Sequence, residues 1–231
     1  MKYDVILFDA DDTLFDFTQC EAHALTNAFS NQGLELQAEH VTSYRKINQQ
    51  LWNEYEQGQV NLDQLRTLRF ERFIEEHNLS SINPSLFGEQ YLQLLSEGSF
   101  LVEGAAELCH ELAASGYRLA IITNGIKQVQ LSRIGRSEIG TLFEQIIVSE
   151  ETGFQKPQQE IFDYAFDKLN LTDRVRTIMV GDSLSSDIQG GNNYGIDTCW
   201  FNPHGTEQVS GIKPTYEILE LAQLKAIVGI D

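Results

Sequence analysis

The sequence has few basic residues for its length and is strongly acidic. Its 231 residues include 16 lysines and arginines against 34 aspartates and glutamates, so the formal net charge is −18 with neutral histidines. Duplex nucleic acid and anionic membrane surfaces attract clusters of lysine and arginine. The composition therefore argues against a nucleic-acid polymer or a membrane surface as a partner. An anionic substrate would need positive charge concentrated locally at its binding site.

Cysteine and long apolar runs are also scarce. The three cysteines, Cys20, Cys109 and Cys199, lie far apart, form no CxxC pair and are odd in number, so no disulfide framework is expected. This pattern is typical of a reducing compartment, and we expect a cytoplasmic protein. The amino terminus lacks the basic, apolar and cleavage-site series of a signal peptide. No apolar run approaches the ~18 residues of a membrane helix, so a membrane span is not expected.

Five short apolar runs alternate along the chain with segments of helical period. The first run is too short for a free-standing helix and too apolar for a half-exposed strand, which is typical of a strand buried in a parallel sheet. With 42% hydrophobic and 22% charged residues, the composition is that of a globular protein. Strands that alternate with helices predict an α/β fold with a doubly wound parallel sheet. The predicted strands are 3–8, 118–123, 145–149, 177–180 and 196–202.

A long stretch after the first strand contains no strand-like run. Residues 16–98 carry apolar residues at helical spacing, and Asn83 followed by Pro84 is typical of a helix start. A right-handed crossover needs one helix, whereas this stretch has room for about four. We therefore expect a helical bundle over residues 16–98, inserted into a core made of residues 1–15 and 99–231. No linker rich in proline, glycine or serine separates the two parts.

Chemically reactive side chains follow four of the predicted strands. Ligands of open α/β sheets bind beyond the carboxyl ends of the strands, so the residues after each apolar run form the candidate site. Carboxylates dominate this set, which also contains a hydroxyl, an amide and an ammonium group. The residues are Asp9 and Asp11 after the first strand, Thr123 and Asn124 after the second, Lys156 after the third, and Asp182 with Asp187 after the fourth.

Several carboxylates at close range favour a bound cation. Like charges raise one another's pKa values or recruit a metal ion, and Mg²⁺ suits oxygen ligands while keeping positions open for a phosphate oxygen. Phosphoryl transfer needs an in-line nucleophile, neutralised phosphate oxygens and a proton for the leaving group. Asp9 suits the nucleophile of an aspartyl-phosphate mechanism, and Asp11 suits the general acid and base. Thr123, the backbone amides near Asn124, and Lys156 would hold the phosphate.

Taken in order, these motifs resemble those of the haloacid dehalogenase superfamily in its phosphatase branch. The resemblance covers essentially the whole chain, because residues 16–98 resemble the superfamily's helical cap on a Rossmann-like core. It implies that the carboxylates of Asp9 and Asp182 and the main-chain carbonyl of Asp11 bind Mg²⁺. It also implies that Asp187 supports the metal through water. The matching motifs are Asp9-x-Asp11-x-Thr13, Thr123, Lys156 and Gly181-Asp182-x-x-x-x-Asp187.

Four longer matches resemble a narrower group, the bacterial pyrimidine 5′-nucleotidases. The resemblance implies a phosphomonoesterase whose small-molecule substrates are nucleoside monophosphates such as UMP, dUMP and dTMP. The sequence by itself indicates no oligomeric state. The matching segments are Asp9-Ala10-Asp11-Asp12-Thr13-Leu14-Phe15, Ile122-Thr123-Asn124-Gly125, Ile161-Phe162-Asp163-Tyr164-Ala165 and Thr198-Cys199-Trp200.

Other functions share parts of this pattern. A sugar-phosphate phosphatase or a phosphosugar mutase would use the same core residues. A dehalogenase is disfavoured, because displacing a halide needs neither a leaving-group acid such as Asp11 nor Mg²⁺. A phospho-accepting receiver module also combines aspartate, Mg²⁺, threonine and lysine, but receivers lack a helical insertion after the first strand and place the phosphorylated aspartate after a later strand.

Two sets of side chains in the helical stretch have less specific interpretations. Arg66, Arg69 and Arg72 recur at i, i+3 and i+6, which is typical of a solvated helix face. Aromatic residues at helical spacing usually pack in a core, so we expect core positions more than contacts with a substrate base. The aromatic residues are Trp52, Tyr55, Phe70 and Phe73.

Overall fold

The computed structural model describes residues 2–207 and 211–230. The protein contains a six-stranded sheet with the order β3-β2-β1-β4-β5-β6, in which all neighbouring strands are parallel. The chain begins in the middle at β1, builds two strands to one side and then crosses back to build three on the other. This doubly wound sheet confirms the predicted α/β fold. The strands are β1 Val5–Phe8, β2 Arg118–Thr123, β3 Phe143–Val148, β4 Thr177–Gly181, β5 Asp197–Phe201 and β6 Tyr216–Ile218.

Strand β1 is buried on both faces, as its uninterrupted apolar sequence predicts. Val5 and Leu7 belong to the apolar cluster on one face of the sheet, whereas Ile6 and Phe8 belong to the cluster on the other. Successive side chains of a strand point to opposite faces, so apolar packing on both sides requires an apolar residue at every position. Because β1 pairs with both β2 and β4, it is an inner strand, and its carboxyl end lies among the carboxyl ends of its neighbours.

Helices supply the rest of both apolar clusters. Helices α5 (Ala105–Ala114) and α10 (Leu224–Val228) pack on the face of Ile6, and helix α8 (Gln159–Lys168) packs on the face of Val5. The short edge strand β6 lies outside the predicted strands, because three residues are too few to show a strand period. The helices of the described residues are α1 Phe17–Asn31, α2 Ala38–Glu56, α3 Leu62–Glu76, α4 Pro84–Glu97, α5 Ala105–Ala114, α6 Lys127–Arg136, α7 Ser149–Thr152, α8 Gln159–Lys168, α9 Gln189–Tyr194 and α10 Leu224–Val228.

The chain divides into two compact units. The first contains Met1–Phe17 and Ser99–Asp231 and includes the whole sheet; the second is Thr18–Gly98 and consists of helices. The two chain passages at the junction lie side by side within the first unit. The amide of Asp16 donates to the carbonyl of Phe100 at 3.0 Å, and the amide of Val102 donates to the carbonyl of Leu14 at 3.0 Å. These hydrogen bonds bring the two ends of the insertion together.

Local signals start two helices of the second unit. The Asn61 side chain accepts a hydrogen bond from the Gln64 amide at 2.9 Å, and the Gln64 side chain accepts one from the Asn61 amide at 2.9 Å. This reciprocal capping box satisfies backbone donors that otherwise lack partners at the first turn of α3. At the start of α4, the Asn83 side chain caps the Leu86 amide at 3.1 Å, and Pro84 occupies the first turn. Both starts follow from local sequence.

An aromatic core holds the four helices of the second unit together. Phe70 and Phe73 are fully buried in it, as predicted, with their rings packed edge-on or stacked against neighbouring rings. The prediction of a solvated helix face is wrong for Arg69. Its side chain is only 2% exposed and lies over the rings of Phe70 and Tyr91 at 5.1 Å. The buried rings of this core are Phe29, Tyr44, Phe70, Phe73, Phe87 and Tyr91.

Two further findings concern the cysteines and the membrane. Cys20, Cys109 and Cys199 are buried and none of them forms a disulfide. Across residues 2–207 and 211–230, no helix combines the length and the apolarity that crossing a bilayer requires.

Candidate active site

The candidate site lies where the doubly wound sheet changes direction. Asp9 follows β1 and Asp182 follows β4, and these neighbouring strands are where the order of the sheet reverses. The amide of Asp9 donates to the carbonyl of Val180 at 2.9 Å, which ties the two strand ends together. Ligands of such sheets bind at the carboxyl ends of the strands beside this switch point. The fold therefore places two of the candidate carboxylates at its preferred ligand site.

A buried lysine links three strand ends at this site. Lys156 is 1% exposed, and its ammonium donates to Asp9 Oδ1 at 2.5 Å, to Asp187 Oδ1 at 2.7 Å and to the carbonyl of Ile122 at 2.7 Å. These contacts use all three N–H donors of the ammonium group. Burial alone would lower the pKa of Lys156, but the charges of Asp187 and Asp9 raise it above its ordinary value. The lysine is thus held as a cation between two carboxylates.

Asp187 is fixed by its surroundings as well as by Lys156. Its second oxygen, Oδ2, accepts a hydrogen bond from the amide of Ser183 at 3.0 Å. This position requires glycine at 181, because a Cβ there would lie closer than 3.0 Å to three side-chain atoms of Asp187. The motif Gly181-Asp182-x-x-x-x-Asp187 therefore has a physical basis: the turn after β4 folds the second aspartate back over the glycine.

Two carboxylates of the site, those of Asp9 and Asp182, have raised pKa values. Burial raises the pKa of Asp9 to about 7; Lys156 opposes this shift, and the charges of Asp187 and Asp11 add to it. Burial, together with the charges of Asp187 and Asp9, also raises the pKa of Asp182 well above its ordinary value. The site thus contains more carboxyl groups than Lys156 alone can stabilise in their ionised form.

The residues after β2, Thr123 and Asn124, form a second part of the candidate site. Thr123 is buried, and its hydroxyl accepts a hydrogen bond from the Gly125 amide at 3.2 Å. The Asn124 side chain is committed to the main chain of Lys156: its Nδ2 donates to the carbonyl at 2.9 Å, and its Oδ1 accepts from the amide at 2.8 Å. A phosphate contact at Asn124 would therefore come from its backbone amide, while its side chain fixes the loop that carries Lys156.

Asp11 points to partners that differ from those of Asp9. Asp11 lies in a tight turn after Asp9, in which the amides of Leu14 and Phe15 donate to the carbonyl of Ala10 at 3.0 and 2.9 Å. The Asp11 carboxylate pairs through Oδ1 with the Arg133 guanidinium and accepts at Oδ2 from the side-chain amide of Gln130 at 2.6 Å. The two aspartates of the first motif thus have separate environments.

Sequence reasoning missed Gln130 and Arg133. Both are buried on α6, alongside the apolar residues Val129 and Ile134, although their side chains are polar and charged. Buried polar and charged side chains need partners, so two of them on the apolar face of a helix that follows the second motif were an available signal. Gly125 belongs to the same arrangement, because a Cβ there would lie closer than 3.0 Å to three atoms of the Gln130 side chain.

The donor set fits a divalent cation with oxygen ligands. One carboxylate oxygen from each of Asp9, Asp182 and Asp187 lies within 4.8 Å of the other two. Asp182 is oriented through its main chain, since the indole of Trp200 donates to its carbonyl at 2.8 Å. Buried carboxylates with raised pKa values gain most from a cation that replaces the lost hydration. Small hard cations such as Mg²⁺ take this type of oxygen donor.

Comparison with known proteins places this geometry in a family. The sequence profile of the haloacid dehalogenase-like hydrolases matches residues 6–201. The pyrimidine 5′-nucleotidase YjjG of Escherichia coli (strain K12) is 36% identical over 228 residues, which cover 99% of this chain and 99% of that protein. The pyrimidine 5′-nucleotidase PynA of Streptococcus pneumoniae (strain ATCC BAA-255 / R6) is 34% identical over 225 residues, covering 97% of this chain and 94% of that protein.

A solved structure agrees over the full length. The crystal structure of the orthorhombic form of the HAD-hydrolase YfnB from Bacillus subtilis, bound to magnesium, has a TM-score of 0.93 with this chain at 38% identity and covers 100% of both chains. The resemblance indicated by the strand-end motifs is thereby confirmed. The chain belongs to the family of haloacid dehalogenase-like hydrolases.

Proposed function

We propose that this phosphoric monoester hydrolase is a magnesium-dependent 5′-nucleotidase that prefers pyrimidine nucleoside monophosphates such as UMP, dUMP and dTMP. The observation that carries the proposal is the setting of Asp9: its carboxylate is buried at the switch point, 2.5 Å from Lys156 and clustered with Asp182. A carboxylate held in this way suits covalent catalysis on a phosphate. The full-length similarity to YjjG and PynA supports the nucleotide substrate.

The residues present would hold Mg²⁺ in a defined way. The carboxylates of Asp9 and Asp182 and the main-chain carbonyl of Asp11 would bind the ion. Both oxygens of Asp187 already accept hydrogen bonds from protein donors, so this residue would act on the metal through water. When bound, the ion would neutralise the phosphate oxygens and favour attack on phosphorus.

In the first half-reaction Asp9 would attack the phosphorus atom in line with the ester oxygen. A bond from an Asp9 oxygen to phosphorus forms, the bond from phosphorus to the nucleoside oxygen breaks, and Asp11 donates its proton to the departing oxygen. The Thr123 hydroxyl and the backbone amides near Asn124 would hold the phosphate oxygens. The three N–H donors of Lys156 already bind protein acceptors, so Lys156 would act on the phosphate through its positive charge. The product is a nucleoside and an aspartyl-phosphate.

In the second half-reaction Asp11 would act in reverse. It takes a proton from water, the water oxygen bonds to phosphorus, and the bond from phosphorus to Asp9 breaks. Inorganic phosphate leaves, and Asp11 is again protonated for the next turnover. The helical unit, residues 16–98, would act as the cap that selects the leaving group. The substrate would be a small soluble nucleotide of the cytoplasm.

A substrate panel tests this function. Phosphate release is measured with Mg²⁺ from UMP, dUMP, dTMP, AMP and GMP and from simple sugar phosphates, and each assay is repeated with EDTA. We expect the pyrimidine nucleotides to have the highest kcat/KM and EDTA to stop the reaction. Sugar phosphates ahead by a wide margin would replace this proposal with a sugar-phosphate phosphatase. Phosphate returned to the sugar would indicate a mutase.

Two substitutions test the assigned roles. Asp9→Asn should abolish turnover while the protein stays folded, because an amide cannot serve as the nucleophile.

Asp11→Asn should reduce the turnover of UMP, which has a poor leaving group, far more than that of p-nitrophenyl phosphate. Asp167→Asn, an exposed position on α8, is the matched control. Substantial magnesium-dependent activity of Asp9→Asn would refute the assigned nucleophile.

A further inference from the structure

Asp11 is held by a pair of side chains from a helix far away in the sequence. Both of its carboxylate oxygens are engaged: Oδ1 by the guanidinium of Arg133 and Oδ2 by the side-chain amide of Gln130 at 2.6 Å. Arg133 is fully buried, and Gln130 is 2% exposed, whereas the Asp11 side chain is 29% exposed. The two buried residues are thus the fixed part of the contact and Asp11 is the part that they hold.

The pair is itself rigid. Arg133 donates to Gln130 Oε1 from Nε at 3.1 Å and from the terminal Nη2 at 2.9 Å. Its guanidinium also lies over the ring of Phe15 at 5.1 Å, at the other end of the tight turn that carries Asp11. Gly125 leaves the space that the Gln130 side chain fills. We call Gln130 and Arg133 together the Asp11 clamp.

We propose that the Asp11 clamp is a positioning device for proton transfer: Gln130 and Arg133 hold the Asp11 carboxylate in the orientation from which it serves the leaving group and the water. The inference rests on the proposed function. A partly exposed aspartate without these donors would sample several rotamers, and a displacement of about 1 Å at a catalytic group can cost about 100-fold in rate. Neither clamp residue touches the substrate phosphate in this scheme.

This role makes a selective kinetic prediction. Arg133→Met keeps a long buried side chain and removes the donors, and Gln130→Met removes one donor without changing the net charge. Each should lower kcat for UMP roughly 10- to 100-fold and leave KM nearly unchanged. Turnover of p-nitrophenyl phosphate should fall much less, because a good leaving group does not need the acid. Gln128→Met and Arg136→Met, at exposed positions of α6, are the matched controls.

A double-mutant cycle separates positioning from a general structural role. If the clamp acts through Asp11, then adding Arg133→Met or Gln130→Met to Asp11→Asn should cause no further loss of kcat for UMP. Losses that multiply, or equal losses on both substrates, would overturn the inference. Gln130→Met keeps the test decisive if Arg133→Met unfolds.

The same assays show which proposal fails. If the unmodified protein releases no phosphate from either substrate with Mg²⁺, the proposed function is wrong. If it turns over both substrates and Asp11→Asn discriminates between them as expected, while the clamp variants do not, only the positioning inference is wrong.

Discussion

At the residue scale, the site is organised around opposed charges in a buried setting. Lys156 and Asp187 form an ion pair in which neither side chain is more than 1% exposed, and Asp9 shares the same ammonium. Removing Asp187 would leave the buried Lys156 with Asp9 as its remaining carboxylate partner, and breaking a buried ion pair is destabilising. Asp182 differs, because burial and the neighbouring carboxylates disfavour its ionised form. In the metal-free protein, Asp187 therefore stabilises the fold, whereas Asp182 destabilises it.

We therefore expect Asp187→Asn and Asp182→Asn to change the free energy of unfolding in opposite directions. Asp187→Asn should lower the free energy of unfolding by about 3 kcal/mol, because it breaks the buried pair with Lys156. Asp182→Asn should raise the free energy of unfolding of the metal-free protein, because it removes a disfavoured charge, and should abolish stabilisation by Mg²⁺. Urea unfolding in EDTA, repeated with excess Mg²⁺, measures both effects. Equal destabilisation by the two variants would contradict the assignment.

Magnesium binding should depend on pH near neutrality. Burial raises the pKa of Asp9 to about 7, so a cation must displace a proton from the metal-free protein at lower pH. The apparent Mg²⁺ affinity should fall about tenfold for each pH unit below about 7 if one proton is displaced. Calorimetric titration in buffers of different ionisation enthalpy measures the protons released. A pH-independent affinity would contradict the displacement of a proton from Asp9.

The same shift predicts how stability varies with pH. A carboxyl group whose pKa is higher in the folded than in the unfolded state stabilises the fold below its unfolded pKa of about 4 and loses this contribution as pH rises through the folded value. For Asp9 the loss should be complete above about pH 7. Thermal unfolding in EDTA should therefore show a Tm that falls as the pH rises from about 4 to about 7. Excess Mg²⁺ should reverse this trend.

At the element scale, two glycines set how closely α9 approaches its neighbours β5 and α8. A Cβ at Gly191 would lie 2.5 Å from Thr198 Cγ2, and one at Gly190 would lie 2.8 Å from a ring carbon of Phe162. Such contacts are far inside van der Waals distance, so neither position accepts alanine without movement. On α6, by contrast, Gly135 is exposed and a Cβ there would meet nothing within 4 Å.

These positions give a matched pair of glycine substitutions. Gly191→Ala should destabilise the protein by about 1 to 3 kcal/mol, because it overpacks the contact between α9 and β5. Gly135→Ala should stabilise it by up to about 1 kcal/mol, because alanine is the better helix former. Chemical unfolding of both variants measures the difference. If both substitutions change the free energy of unfolding in the same direction, packing does not govern these sites.

At the scale of the whole molecule, the first unit has apolar clusters of its own on both faces of the sheet. The apolar clusters on both faces of the sheet are formed entirely by residues of the first unit. The junction hydrogen bonds between residues 14–16 and 100–102 also belong to that unit. The residues that carry the proposed chemistry follow β1 to β4, so the helical unit contributes none of them.

Excising the helical unit tests this independence. Replacing Thr18–Gly98 by a short glycine and serine linker should leave a folded core that still binds Mg²⁺ and slowly hydrolyses p-nitrophenyl phosphate. If the helical unit selects the leaving group, as proposed, the preference among nucleotides should be lost. Circular dichroism, Mg²⁺ titration and the substrate panel are the measurements. A core that keeps the pyrimidine preference would place base selection outside residues 18–98.

Local chemistry explains what the sequence determined by itself. Uninterrupted apolar runs identified the buried strands, Asn83-Pro84 identified a helix start, and the placement of Asp9, Lys156 and Asp182 after strands identified the candidate site before any contact was known. These features depend on side chains within a few residues of each other. The tertiary structure decided which distant side chains meet. Gln130 and Arg133 reach Asp11, and Lys156 reaches both Asp9 and Asp187, because the sheet order places β1 between β2 and β4, an order that no local pattern of hydrophobicity or turn chemistry encodes.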